Sequence, residues 1–423
     1  MALDLRHTFR ALRYRNFRLF FVGQSLSLIG TWLQQVAMGW LTYRLSGSAL
    51  LLGAVAFCGS IGILALGPLG GVLADRVNRR RALMVTQVLM LAQAVALSAL
   101  TALGYIEVWH LIVLALFLGI VSAFDNPIRQ SLFANLVDDR ADLPNAIAMN
   151  SIIVNLARIV GPALAGLLLT WVGEAWCFAL NALSFLAVIL ALSRMRWPKE
   201  IGGVAAAGWW SSWIEGTKYA LGFGPSRALL AMVAVIAWTI SPYSTLMPIY
   251  AKDLYGGGPD TLGLLLASAG AGALACMVYL AGRKTVRGLG RIIARAAMVA
   301  GVALGIFALV RNVPLGMALM ALVGGGLMLS AASANTILQT IVDDAMRGRI
   351  VSYFMVAFLG VAPLGNLAAG ALAAAIGAPL TLVINGALCT LAAVYFWYRL
   401  PKFGVLIRPT YRRLGIIPDE PPG

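Results

Sequence analysis

The sequence predicts an all-α polytopic membrane protein, with twelve transmembrane helices in two six-helix bundles. Three observations predict it. The 423 residues are 61% hydrophobic and only 11% charged, with a mean hydropathy of +0.87, far from soluble composition. Uncharged runs recur from Phe17 to Trp397, and about 20 apolar residues is the length that crosses a hydrocarbon core roughly 30 Å thick. Two short patterns in the first half also return, in the same order, in the second. The composition excludes a soluble enzyme. A transmembrane β-barrel is excluded because the runs are unbroken rather than alternating.

In chain order, the first six spans fall near 17–43, 49–74, 82–103, 109–135, 145–171 and 174–193, and the second six near 227–250, 261–282, 291–310, 314–341, 349–375 and 379–399. Charged or Pro/Gly-marked breaks separate them. Span one follows eighteen basic-rich residues, is too long for a signal-peptide core and has no small-residue cleavage site, so it is expected to be a mature helix. Between the sets lies the longest polar stretch, which gives an N-terminal bundle (1–193), a cytoplasmic linker (194–226), a C-terminal bundle (227–400) and a cytoplasmic tail (401–423). The linker's Trp209, Trp210 and Trp213, opposed by Glu215 and Lys218, predict an interfacial amphipathic helix. The tail ends Pro418-Asp419-Glu420-Pro421-Pro422, a composition expected to be mobile.

Charge sets the orientation. With both termini cytoplasmic, Arg44, Lys252 and Arg311 alone lie in outside loops, Arg129 and Arg158 alone lie well within spans, and every other Lys and Arg falls on the cytoplasmic side. This bias orients a bacterial cytoplasmic-membrane protein and explains the net charge of +16 without nucleic acid. The cluster Arg6, Arg10, Arg13, Arg15 and Arg18 then sets topology and meets anionic headgroups. Cys58, Cys177, Cys276 and Cys389 stand singly in apolar spans, and His7 and His110 have no Cys or carboxylate cluster around them. No metal and no cofactor is expected.

The repeat has an offset of about 205 residues. Leu132-Phe133-Ala134-Asn135-Leu136-Val137-Asp138-Asp139 matches Ile337-Leu338-Gln339-Thr340-Ile341-Val342-Asp343-Asp344, and Gly161 with Ala165-Gly166 matches Gly365 with Ala369-Gly370. A parallel duplication of six helices implies two bundles around an axis normal to the membrane, a midplane site and alternating access.

Several short motifs carry a resemblance. The loop Gly71-Val72-Leu73-Ala74-Asp75-Arg76-Val77-Asn78-Arg79-Arg80-Arg81 resembles motif A of the major facilitator superfamily, with Asn78 in place of a Gly, a mild departure because Asn tolerates the left-handed conformation that Gly would supply. Ala157-Arg158-Ile159-Val160-Gly161-Pro162-Ala163-Leu164-Ala165-Gly166 resembles the exporter-associated motif C, with two of its glycines replaced by Ala. Asp125-Asn126-Pro127-Ile128-Arg129, then Val137-Asp138-Asp139, then Asn155 to Pro162, together with Gly23-Gln24-Ser25, is similar to the enterobactin-exporter-like branch of that superfamily. The resemblance implies the twelve-helix major facilitator fold, coupling to the proton-motive force and export of siderophores or drugs. It also implies a gate in which Gly71 permits close helix approach and Asp75, Arg76 and Arg80 latch, with Asp138 or Asp139 as partner. The corresponding second-half loop, Gly282 to Gly288, lacks an Asp, so two unequal gates are expected. Motif B's Arg is absent, since Ala115 stands four residues before Gly119.

Ionisable groups at membrane depth are costly and normally face a cavity or a partner. Asp125 and Arg129 share a helix face, and Arg158 sits mid-span. Desolvation favours the neutral form of Asp125 and a neighbouring guanidinium favours its carboxylate, so both a coupling and a structural role stay open. Gln24, Trp32, Gln35 and Trp40 in span one, Trp238 and Tyr243 in span seven, Asn335 and Gln339 in span ten and Asn366 in span eleven are candidates to line a cavity for an amphipathic, ring-bearing substrate. Helix packing and an interfacial aromatic belt explain each of them equally well singly.

The reading is a proton-driven, non-enzymatic exporter, expected to be monomeric, with a small-molecule substrate, protons and the lipid bilayer as partners. The alternatives are an importer of a small metabolite on the same fold and a non-transporting receptor or scaffold. No catalytic constellation lies at membrane depth, and no Gly-x-x-x-x-Gly-Lys nucleotide loop is present.

Overall fold

The computed structural model describes residues 10–74, 77–132, 136–196, 222–283, 285–342 and 344–413. Among these residues the regular structure is helical throughout. The helices are α1 (Arg15–Ser46), α2 (Ala49–Ala74), α3 (Arg79–Ala102), α4 (Val108–Leu132), α5 (Leu143–Trp171), α6 (Glu174–Arg194), α7 (Gly224–Thr239), α8 (Tyr243–Ile249), α9 (Pro259–Ala281), α10 (Leu289–Phe307), α11 (Val313–Ile341), α12 (Asp344–Met355), α13 (Val361–Ile376) and α14 (Ala378–Arg413). Short 3-10 turns occupy Arg10–Arg13 and Arg140–Asp142. π-helical turns, Tyr250–Leu254 and Val356–Gly360, continue α8 and join α12 to α13.

Eleven spans among the described residues are long and apolar enough to cross a membrane. α1 is the twelfth by length, at 32 residues, but Gln24, Ser25, Ser27, Thr31, Gln34 and Gln35 dilute its hydropathy. Span seven, read as one run, is broken between α7 and α8 where Pro242 follows Ile240 and Ser241. α14 runs on through Pro401 and Pro409 to Arg413, past position 400 where the sequence reading begins a tail. The Phe403 ring, beyond Pro401, lies 6.0 Å from that of Phe396 on the same helix. Asn78 is not left-handed, with φ −63°; its side chain caps α3 by accepting the Arg81 N–H at 2.9 Å. The linker tryptophans and the Pro-rich end of the tail lie outside the described residues.

Contacts group the chain into two compact units, Met1–Ala206 with Pro248–Ala267, and Ala207–Met247 with Ser268–Gly423. In the first, α2 packs on α4, α6 on α1 and α3, and α5 on α1. In the second, α10 packs on α11 and α14, and α7 on α13 and α14. Each unit has a glycine seam related by the repeat. A Cβ on Gly119 would stand 2.8 Å from the Gly59 carbonyl oxygen across the α2–α4 contact, and one on Gly324 would enter the Ala269 backbone across α9–α11. Lipid takes the place of water outside, so apolar residues such as Val85, Val113 and Leu183 are exposed, whereas polar side chains turn inward. Asn181 donates to Gln34 at 2.8 Å, Gln34 to Gln93 at 3.1 Å, and Gln93 to the Leu114 carbonyl at 3.2 Å, tying α6, α1, α3 and α4 together.

Candidate functional site

The first unit holds the Asp125–Arg129 pair and Arg158. Asp125 is wholly buried on α4, between an apolar cluster around Leu83, Ile128 and Leu132 and another around Met90, Val121 and Phe185. Its Oδ1 accepts hydrogen bonds from Thr86 at 2.7 Å and Gln87 at 2.9 Å, both on α3. Its Oδ2 pairs with the Arg129 guanidinium at 2.5 Å, which also donates to Asn126 at 2.8 Å. The i,i+4 spacing read from the sequence therefore does bring Asp125 and Arg129 together. Thr86 and Gln87 escape a sequence reading, since single polar residues in an apolar run do not announce a partner.

Arg158 joins a different neighbour. Its guanidinium carbon lies 5.7 Å from the centroid of the Trp32 ring on α1. The resemblance at span five resolves into a two-sided packing face. Gly161 faces α1, where an added Cβ would collide with the Trp32 Cβ and stand 3.3 Å from its Cγ. Gly166 faces the start of α9, where a Cβ would stand 2.9 Å from the Pro259 carbonyl oxygen and 3.0 Å from the Gly263 Cα. Ala157 and Pro162 are buried on the same helix, and the Pro162 carbonyl oxygen lies 2.6 Å from a Cβ built on Gly263.

At the end of the helices that carries the N-terminus, Asp75 and Arg76 lie outside the described residues, and Gly71 is described only as part of the last turn of α2. Arg80 is exposed on α3. Asp138 and Asp139 are exposed, and Asp139 accepts the Ala141 N–H at 2.9 Å. The acid built into this end is Asp142, which sequence reasoning passes over. It is buried, and it receives Arg10 at 2.8 Å, Arg13 at 2.7 Å and the Tyr14 hydroxyl at 2.9 Å. The hydrogen bond to Tyr14 holds the Arg13 guanidinium above its ordinary pKa against desolvation, with Asp142 adding to it. Ala11 N–H donates to Asn145 on α5, and Asn16 exchanges two hydrogen bonds with the Arg196 backbone. The N-terminal segment is thereby clamped to the entry of α5 and the exit of α6. At the C-terminal end of α1 the Tyr43 hydroxyl donates to Asp253, Lys252 Nζ lies 5.6 Å from the Tyr43 ring centroid, and Arg44 pairs with Glu174 at 2.8 Å.

Of the cavity candidates, Gln24 is buried and Trp32 half-buried, while Gln35 is exposed. Trp40 is buried. In the second unit Trp238 is 41% exposed and its backbone lies against Gly365. Tyr243 and Asn366 are half-buried, and Gln339 donates to Asn335 at 3.0 Å. No group of metal-ligating side chains occurs among the described residues.

A family model described as a transmembrane secretion effector matches residues 6–408. The chain is 25% identical over 389 residues to the staphyloferrin A transporter of Staphylococcus aureus, covering 90% of this chain and 95% of that one. It is 27% identical over 354 residues to the multidrug efflux pump Tap of Mycolicibacterium fortuitum, covering 81% and 85%. A solved POT family transporter has a TM-score of 0.74 at 12% identity over 92% of this chain and 96% of that one, a likeness that speaks for the fold alone. The protein is thus a multi-pass membrane transporter and not an enzyme. With the match spanning α1 to the last turns of α14, the chain belongs to the transmembrane secretion effector family of the major facilitator superfamily.

Proposed function

We propose that this protein is a proton-driven exporter of amphipathic small molecules, siderophore-like or drug-like, working by alternating access with both termini in the cytoplasm. The observation that carries the reading is the likeness, along most of the chain, to a staphyloferrin A transporter and a multidrug efflux pump. The small-residue face of α5 supports the outward direction. Proton drive is supported by a sequence without a nucleotide-binding loop and by the branch of the superfamily that the chain resembles. Asp125 is read as the anchor of the α3–α4 contact, because it takes hydrogen bonds from Thr86 and Gln87 across that contact and an ion pair from Arg129.

Untargeted mass spectrometry of cells and medium tests the function, comparing a deletion strain with its complemented partner under iron limitation. A compound retained in the deletion cells and missing from their medium is the expected result, with a protonophore reproducing it. A compound left behind in the medium overturns the direction. Asp125→Asn separates anchor from proton carrier: an anchor variant loses exchange and gradient-driven transport together with thermal stability, whereas a carrier variant keeps exchange and loses only gradient-driven transport.

A further inference from the structure

We propose that the turn between α9 and α10 binds the phosphate group of an anionic lipid, with Arg283 as the side chain that grips it. The proposal goes beyond the export reading and does not rest on it.

Level in the membrane is the first argument. The 23 residues of α9 reach about 35 Å, a full crossing of a hydrocarbon core roughly 30 Å thick, so Arg283, just past the end of α9, stands at a membrane edge. The same edge carries the exit of the span in α14, since a Cβ on Gly290 would stand 2.9 Å from the Leu400 Cδ2. Nearby, the Arg295 guanidinium lies 5.3 Å from the Trp397 ring centroid, and Arg399 donates to the Tyr395 hydroxyl at 3.0 Å. Aromatic rings beside cationic side chains suit the headgroup level of a bilayer.

Chemistry is the second argument. A cavity of about 170 Å³ is lined by Leu280, Arg283, Thr285, Val286, Leu289 and Thr336. Arg283 is fixed in the turn, donating to the Tyr279 hydroxyl at 3.3 Å and to the Arg287 carbonyl at 2.8 Å. Its Nε is buried without a hydrogen-bond partner, and no carboxylate among the described residues pairs with it. A guanidinium partly withdrawn from water without a counter-charge is costly, and an anion in the adjoining cavity offsets that cost. Thr285 Oγ1 accepts the Arg287 N–H at 3.1 Å, which leaves its own hydrogen to donate. α10 opens at Leu289 with no side-chain cap, so the positive end of its dipole lies beside the cavity.

What favours a lipid over a soluble ion is the rest of the lining. Leu280, Val286 and Leu289 offer apolar surface to the glycerol backbone and first methylenes of a lipid, which a free phosphate would leave uncovered. Charge favours an anionic lipid over a zwitterionic one. From Gly282 to Arg295 the chain carries five basic residues and no acid, and such clusters at the membrane surface attract anionic headgroups.

The test uses the full chain in detergent micelles and native mass spectrometry, with dioleoylphosphatidylglycerol and dioleoylphosphatidylcholine as the two lipid probes. Phosphatidylglycerol is expected to bind at least about tenfold more tightly, a discrimination that charge-assisted contacts supply. Arg283→Gln should remove most of that preference. Arg291→Gln, exposed on α10 and outside the cavity lining, should change it by less than about twofold, as a screened surface charge does. Arg283→Lys keeps the charge and loses the planar fork; it covers a failure of Arg283→Gln to fold and is expected to weaken retention. Equal affinities for the two lipids overturn the proposal. So do equal losses in the Arg283 and Arg291 variants, which would assign retention to diffuse positive charge. Inorganic phosphate, titrated calorimetrically into the protein in phosphatidylcholine nanodiscs, separates the two sources of the anion. Arg283-dependent phosphate binding without retention of phosphatidylglycerol would overturn the lipid assignment.

Discussion

Asp125 and Asp142 show what a carboxylate needs in order to be buried here: Asp125 takes two hydrogen bonds from α3 and an ion pair from Arg129 on its own helix, and Asp142 is met by Arg10, Arg13 and Tyr14 of the N-terminal segment. Asp142→Asn breaks the charge-assisted contacts that hold the N-terminal segment to the entry of α5. A loss of about 1–2 kcal/mol is expected, at the lower end for charged hydrogen bonds because the Arg10 and Arg13 side chains are 38% and 61% exposed. Thermal unfolding of the solubilised protein reads it directly. For Asp125 and Arg129, a double-mutant cycle of Asp125→Asn and Arg129→Gln should return a coupling of about 0.5–3 kcal/mol, and a coupling near zero would remove the anchor reading. The i,i+4 pair was legible because both partners lie on one helix. Asp142 was not, because its partners are more than a hundred residues away, and Asp138 and Asp139 had the stronger motif. Gln35 was singled out where its neighbour Gln34 makes the buried bridge, since one residue turns a helix by about 100° and an unbroken apolar run does not reveal its phase.

Among the elements, α5 separates what a motif conveys from what it leaves out. Its small residues were readable as close packing, but not that Gly161 serves α1 and Gly166 serves the first turn of α9. Gly166→Ala is expected to impair transport and stability, because the Cβ meets backbone atoms of Pro259 and Gly263 that cannot rotate away. Gly67→Ala and Gly305→Ala, with open space around the new methyl, should fall within about 1 kcal/mol of the parent. Thermal shift and transport assays on the three variants, side by side, check the contrast; equal effects at all three positions would refute it. The break between α7 and α8 and the π-helical turns were hidden because hydropathy counts apolar residues and does not follow the backbone between them.

For the whole molecule, the charge bias makes a topological prediction. Alkaline phosphatase fusions after Gly47 should be active and those after Arg196 inactive, as an outside α1–α2 loop and an inside linker require; the reverse pattern would invert the orientation. Span number, the repeat and the resemblance were fixed by the chain alone, because insertion into a bilayer is decided segment by segment, by apolar length and flanking charge. Tertiary structure alone decided which helix each polar side chain answers, that Arg158 stacks on Trp32 while Arg129 takes Asp125, and that Pro248–Ala267, from the second half of the sequence, packs with the first unit. Those are properties of pairs of helices. They depend on rotation and crossing, which side-chain fit sets and which the hydrophobic requirement of any single span leaves free.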